Sequence, residues 1–288
     1  MARIRPVIAA LVLSLSAVGC GTSGTGSSPS GPPATGSETA PPTTSPSAPA
    51  PTVTYQVWFA HGEYLFVTQR TQPFTARVGS AAVTALLAGP SDQERAVGVL
   101  TAVPQGTELL GLTIERGIAT ANLSSTYASG GGSLSMFIRL AQLTYTLTQF
   151  PTVRGVNLQL DGKPVTVFSG EGIILDQPMT RRTYQDLLPP ILVEQPYIGQ
   201  RVSNPVTISG TADVFEATVS ITLLDAQGRP VADTFAMATC GTGCRGTFAK
   251  MVTYHVDRDQ PGTVRVYEVS AKDGKPINEI DIPVTLTA

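Results

Sequence analysis

Apolar and polar positions alternate in two neighbouring runs within residues 98–124. Leu110, Leu112 and Ile114 alternate with Gly111 and Thr113; after Glu115, Arg116 and Gly117, the residues Ala119, Ala121 and Leu123 alternate with Thr120 and Asn122. This spacing predicts a β-hairpin in which each strand buries one face. Upstream, Tyr55, Val57 and Phe59 alternate before a break at His61 and Gly62, and a second apolar run follows in 63–67, so two strands joined by a short turn are expected across 53–68. From Thr75 the period changes to four: Val78, Ala82 and Leu86 share one side with Val83 and Leu87 beside them, and Gly89-Pro90 stops the run. That is a helix of about three turns, ended by a glycine that accepts the left-handed cap and a proline that cannot continue it. Behind the hairpin, three glycines at 130–132 lead to Ser133, which is expected to cap a second helix with a stripe of Leu134, Phe137, Ile138, Ala141, Tyr145 and Thr148, closed by Phe150-Pro151. Val156, Leu158 and Leu160 then alternate, and Asp161-Gly162 turns the chain toward Val165 and Val167. Strands, helix, hairpin, helix and strands in that order predict an α+β domain with two helices on one face of a mixed sheet.

Residues 166–190 read as a bridge. A strand within 170–175 and a short helix capped by Thr180 and carrying Tyr184, Leu187 and Leu188 are expected there, with a domain boundary near Pro189. Beyond it the period is two: Val206 and Ile208, then Val219, Ile221 and Leu223, then Val264 and Val266, then Ile280, Ile282, Val284 and Leu286. With turns expected at Gly199, Gly228, Gly262 and Gly274, about seven short strands predict a β-sandwich. Pro283 places the last strand at an edge or beside a bulge, because proline has no N–H to donate.

The N-terminus changes the picture of where such a protein works. Arg3 and Arg5 precede an apolar run over 7–18, then Ala17, Val18, Gly19 and Cys20. A span of about 20 apolar residues is needed to cross a bilayer, so this is an export signal rather than a permanent helix. Residues 21–52 are almost wholly Gly, Ser, Thr, Pro and Ala with Glu38 as the one charge, a composition expected to remain a disordered tether reaching about 30 Å. The expected organisation is a signal at 1–20, the tether at 21–52, an α+β domain at 53–175, a linker at 176–189 and a sandwich at 190–288. Of 288 residues, 42% are hydrophobic and only 14% charged, which is ample for two cores. Without Arg3 and Arg5, 17 basic groups face 21 acidic ones, and that net acidity argues against a nucleic-acid partner.

Candidate chemistry is sparse. Cys240 and Cys244 bracket three residues in an exported chain, which points to a disulfide closing a tight loop; two thiols without nearby His make a poor zinc site. Residues 241–246 match GxGxxG by letter, but a strand-like run follows where a dinucleotide fingerprint needs a helix, so they read as a glycine-rich turn. Residues 131–135 lack the last glycine of a nucleophile elbow. His61 and His255 fall in different domains and read as turn or surface residues. Glu216 and Glu268 could act as an acid–base pair only if brought within about 5–10 Å of each other, and sandwich acids more often cap turns. No catalytic residue, cofactor or metal site is assigned.

Several blocks resemble known families. The 17–20 segment with its cysteine resembles a lipoprotein signal, which would make Cys20 the lipid-bearing N-terminus; Ala17 stands where that signal usually has leucine, and an ordinary secretory signal is the alternative. Residues 86–90, 103–107, 117–124, 141–147 and 156–162 resemble, in order, the successive blocks of the GerMN domain of sporulation and germination lipoproteins, with Asn122 where that family often has aspartate. Residues 191–196, 210–217, 246–248 and 267–274 resemble the immunoglobulin-like domain that accompanies GerMN domains in bacterial envelope proteins. An anchor, a spacer and two small domains without a convergent catalytic set point to a non-enzymatic protein, and the resemblance implies its setting, an envelope lipoprotein of an actinobacterial kind at the outer face of the cytoplasmic membrane. It would bind or scaffold envelope and membrane proteins, of the sporulation or germination type or beside a sensor kinase. A cell-wall glycan-binding or glycan-processing protein, using acids such as Glu216 or Glu268, is the alternative.

Overall fold

A computed structural model describes residues 50–170 and 172–288; the expected signal, Cys20 and the tether up to residue 49 lie outside the described residues. The described chain opens with two long strands, β1 (Thr52–His61) and β2 (Tyr64–Pro73), paired antiparallel over their whole length around a turn at Gly62. Helix α1 (Val78–Ala88) follows, with Ala82, Val83 and Leu86 buried as their spacing predicts, and Gly89 closes it by donating its N–H to the Leu86 carbonyl. A short helix α2 (Asp92–Ala96) was not expected; Ser91 and Glu94 form a reciprocal capping box at its start. After β3 (Val99–Leu100), which pairs with the end of β1, come β4 (Leu109–Glu115) and β5 (Ile118–Leu123), the expected hairpin. Its turn is the two residues Arg116 and Gly117, both at positive φ, as a tight hairpin of this twist requires. Helix α3 (Ser133–Leu147) then crosses back, and β6 (Gly155–Leu160) lies parallel to β5. Short pieces β7 (Lys163–Pro164), β8 (Val167–Phe168) and β9 (Ile173–Ile174) complete this half, so the strand run expected after Asp161-Gly162 is broken into segments.

The α+β class holds, with the strands divided between sheets of order β2-β1-β3 and β4-β5-β6-β7, plus the β8-β9 pair. Helices α1 and α3 pack on each other and on β1, while α1 also meets β4 and α3 meets β6. Two expectations need correction. Ser133 is the first residue of α3 rather than its cap, a place taken by Gly132. The α3 stripe is also not the whole story: Leu134 and Phe137 remain 44% and 41% exposed, whereas every residue of 138–147 is buried, because the helix is covered from several sides.

The second half is a two-sheet sandwich. Strands β10 (Ile191–Gln195), β12 (Val206–Ala212) and β15 (Gly246–Val252) form one sheet. The other runs β11-β17-β16-β13-β14, from β11 (Arg201–Val202), β13 (Thr218–Leu224), β14 (Pro230–Met237), β16 (Gln260–Val269) and β17 (Pro276–Leu286). Ile208, Val219, Ile221, Val264, Val266 and Ile282 fill the space between, on the inward phase of the alternation. The eighth strand beyond the expected seven or so is the two-residue β11, which lies parallel to β17 at Thr285 and Leu286. Pro283 lies just before the β17 residues that β11 pairs, where only the Gly199 amide meets its carbonyl (2.8 Å) and no strand asks for the N–H it lacks. Gly262 corrects a turn expectation: it lies inside β16 opposite Val284, where a Cβ would come within 2.6 Å of the Leu286 side chain.

The segment joining the halves is tied on both sides. Arg181 lies over the rings of Trp58 (5.2 Å) and Tyr145 (4.7 Å) and donates to Thr148 Oγ1 at 3.0 Å. From the sandwich, Arg245 donates to the Pro189 carbonyl at 2.6 Å, and the Asp213 N–H to that of Pro190 at 2.8 Å.

Candidate functional site

The structure places the candidate groups one by one. Cys240 and Cys244 are joined as a disulfide with Cα atoms 5.8 Å apart. The loop they close is fastened from inside, the Thr242 amide donating to Val214 O (3.0 Å) and the Gly243 amide to Asp213 Oδ1 (2.8 Å), and it runs straight into β15 rather than a helix. Glu268 is buried and spends its two carboxylate oxygens on the Phe215 amide (2.9 Å) and the Asn278 side chain (2.7 Å). Glu216 is exposed in a turn at positive φ. The two acids are therefore used as a clamp and a corner. His61 and His255 are both exposed, the first with a ring nitrogen 3.1 Å from Val97 O, the second beside Asp257. Among the described residues, no group of three or more His, Cys, Asp or Glu could hold a metal ion, and no helix is long and apolar enough to cross a membrane.

Sequence reasoning missed three buried polar constructions, all in the α+β half. Most of β1 lacks a strand on one side, and α3 with the turn that follows it supplies the missing partners. Gln142 Nε2 donates to Trp58 O (3.1 Å), Thr146 Oγ1 accepts from Trp58 N (3.2 Å), and Gln149 exchanges two bonds of 2.6 Å with the Gln56 backbone. Gln142 and Thr146 lie one turn apart on α3 and Gln149 just past its C-terminal end, so the last turns of the helix and the residue leaving it stand in for a strand. Next, Arg139 is only 2% exposed and donates to four carbonyls: Ala102 (2.8 Å), Tyr127 (2.6 Å), Ser129 (3.0 Å) and Gly130 (3.0 Å). Burial pulls its pKa down, and no carboxylate pairs with it among the described residues, so the carbonyl dipoles stabilise the charge. Third, buried Glu94 takes a two-pronged contact from Arg70 (2.6 and 2.7 Å) and a bond from Thr68 Oγ1 (2.6 Å). Burial alone would raise its carboxyl, but the hydrogen bonds from Arg70, Thr68 and the Ser91 amide hold it below the usual range. Glu94 was legible as the last letter of Ser-x-x-Glu.

A groove of about 880 Å³ lies open between the start of α1, the face of β4 and the loop at 150–152. Val78, Leu110, Leu112 and Phe150 give it an apolar floor, with Arg77 at its lining. Gly79 lets α1 come down onto β4: a Cβ there would stand 3.1 Å from Leu112 Cδ2. The face expected to be buried is therefore this groove's wall. Leu110 is 49% and Ile114 42% exposed, while Ala119, Ala121 and Leu123 of β5 are fully covered. Edge position explains the difference, since β4 has β5 on one side only and α1 covers just part of its face.

The family model described as sporulation and spore germination matches residues 56–166, and that of the immunoglobulin-like domain of bacterial spore germination matches 190–275. Each of the two domains matches its own family model. The groove thus lies in the GerMN-type domain and the disulfide loop in the Gmad2 domain, in the order the sequence blocks implied. Among solved structures, the tandem GerMN domains of the sporulation protein GerM from Bacillus subtilis are 14% identical with a TM-score of 0.42, over 82% of this chain and 61% of that one. The chain thus spans under two thirds of that relative's length. The first GerMN domain of the same protein is 19% identical with a TM-score of 0.38, over 45% of this chain and 98% of that one. No curated protein matched.

Proposed function

We propose that the protein is a non-enzymatic component of the bacterial cell envelope. It is anchored by a lipid on Cys20 at the outer face of the cytoplasmic membrane, where its GerMN-type and Gmad2 domains bind or scaffold other envelope proteins. The partner process is of the sporulation or germination type or belongs to a membrane sensor kinase. The observation that carries the reading is the order of parts: a basic and then apolar N-terminal sequence of the export type up to Cys20, a stretch of Gly, Ser, Thr, Pro and Ala, and two domains that match spore-germination family models. It is supported by the way the candidate reactive groups are spent, Glu268 on the fold and the cysteines on each other. The GerMN-type domain in turn offers an apolar groove walled by Leu110 and Leu112.

The direct test is Cys20→Ser in the full chain. The parent is expected in the membrane fraction with an incorporated fatty-acid label, and the variant is expected to lose both. Unchanged membrane association of the variant would sink the anchor. In-cell crosslinking from the groove should recover membrane or cell-wall proteins, and release of fragments from purified cell wall by the protein would overturn the non-enzymatic part.

A further inference from the structure

The α+β half and the sandwich are joined through Pro189 and Pro190. Neither proline has an N–H, so their carbonyls are the only backbone groups by which this pair can be hydrogen-bonded in place. Both carbonyls are held from the sandwich. Arg245 donates to Pro189 O (2.6 Å) and to Thr211 Oγ1 (3.2 Å), and the Asp213 amide donates to Pro190 O (2.8 Å). The two holding residues are in turn fastened to the loop that Cys240 and Cys244 close. Arg245 directly follows Cys244, and the Asp213 carboxylate accepts the Gly243 amide through Oδ1 (2.8 Å). One small covalent ring therefore stands behind both grips on the joint.

The bond that closes this ring can be reached. Cys244 is exposed and lines a cleft of about 510 Å³ together with Tyr64 of β2, Asp186 of the joining segment and Asp213. Exposed disulfides are the ones that thiols reduce readily. A thiolate of a dithiol attacks Cys244 Sγ, forming a new S–S bond and releasing Cys240 as a thiolate that takes up a proton. The second thiol, as its thiolate, attacks the reductant's own sulfur in that mixed disulfide, so the reductant leaves as a disulfide and Cys244 is freed as a thiol. The protein gains two electrons and two protons, and the dithiol gives up both. Residues 240–244 then lose their closure, and the positions of Arg245 and the Asp213 carboxylate are no longer fixed by it. We propose that the Cys240–Cys244 bond is a redox-sensitive clasp on the domain joint, rigid when oxidised and loosened when an exported dithiol reductant opens it. The packing of β2 on β10 and of Gln93 against Gly199 does not involve the ring, so the joint flexes without coming apart. This goes beyond the envelope-scaffold reading and needs neither lipid nor partner.

The test compares amide exchange of the full chain, read by mass spectrometry, before and after treatment with dithiothreitol under native conditions. Alkylation should show both thiols freed while the protein stays folded. Exchange within residues 186–193 should then rise about tenfold, the effect of losing a grip worth one or two hydrogen bonds, while α3 keeps its rate. Cys240→Ser combined with Cys244→Ser should show the fast rate without reductant and no further change with it. Arg245→Met should speed the same segment with the disulfide intact, which locates the effect at the grip on Pro189 and not in the loop alone. The proposal is wrong if the bond resists dithiothreitol in the folded protein. It is equally wrong if reduction speeds exchange only within 239–246, or everywhere to the same extent.

Discussion

Thr146→Val tests whether α3 truly substitutes for a strand along β1. Valine has nearly the shape of threonine, so the substitution leaves no cavity in a fully buried position; it removes one oxygen. That oxygen accepts the buried Trp58 amide at 3.2 Å, on the side of β1 where no strand runs. With it gone, the N–H has no partner and no water, which costs about 1–3 kcal/mol. In a protein of this size each kcal/mol lowers the unfolding midpoint by about 2–4 °C. Thr144→Val is the control. Its hydroxyl is equally buried but donates only to the Leu140 carbonyl four residues back, an acceptor the helix already uses, so it should change stability by less than about 0.5 kcal/mol. Urea and thermal unfolding of the parent and both variants decide the matter. Equal stabilities for Thr146→Val and the parent, or equal losses for the two valines, would refute the view that the α3 hydroxyl completes the β1 edge.

Other expectations follow from the remaining buried groups. The Glu94 carboxyl is held below its ordinary value in the folded protein, so its contribution is complete above the unfolded carboxyl's range and is lost as pH falls through the folded value. Urea midpoints between neutral and strongly acid pH should therefore fall more steeply for the parent than for Glu94→Gln, and parallel curves would contradict this. Arg139→Met should cost about 2–4 kcal/mol and speed amide exchange in residues 125–132, since the carbonyls of Ala102, Tyr127, Ser129 and Gly130 lose their donor together. Mass spectrometry without reduction should find the peptides of Cys240 and Cys244 linked. Replacing both by serine should lower stability by about 2 kcal/mol, and two freely alkylated thiols would contradict the bond.

Much of the fold could be read in advance because alternation and helical spacing report which residues share a face. The β4–β5 turn, the length of α1 and the inward positions of the sandwich all follow from that. Spacing does not report whether a face is covered, and here β4 departed from expectation: Leu110 and Ile114 alternate like core residues yet lie at a sheet edge beside an open groove. Helix α3 failed in the opposite sense. The expected stripe left out Arg139, Gln142, Thr144 and Thr146, yet each is buried against a backbone group of another segment or of its own helix. The signal was present in the single-face spacing of Gln142, Thr146 and Gln149, which a free surface has no reason to keep. Gly262 looked like punctuation because glycine serves both turns and crowded strands, and only the Leu286 side chain beside it tells the two apart.

Strand β1 also has a mechanical meaning. It is the first element of the described chain, faces β2 at ten successive positions, and is gripped on its other side by Gln142, Thr146 and Gln149. A pull entering through the residues before Thr52 and directed along the strand loads these bonds together, in shear, instead of opening them one after another. The domain therefore meets tension from its own N-terminus with a strand fastened along both sides, so a load entering there is spread over the sheet and α3.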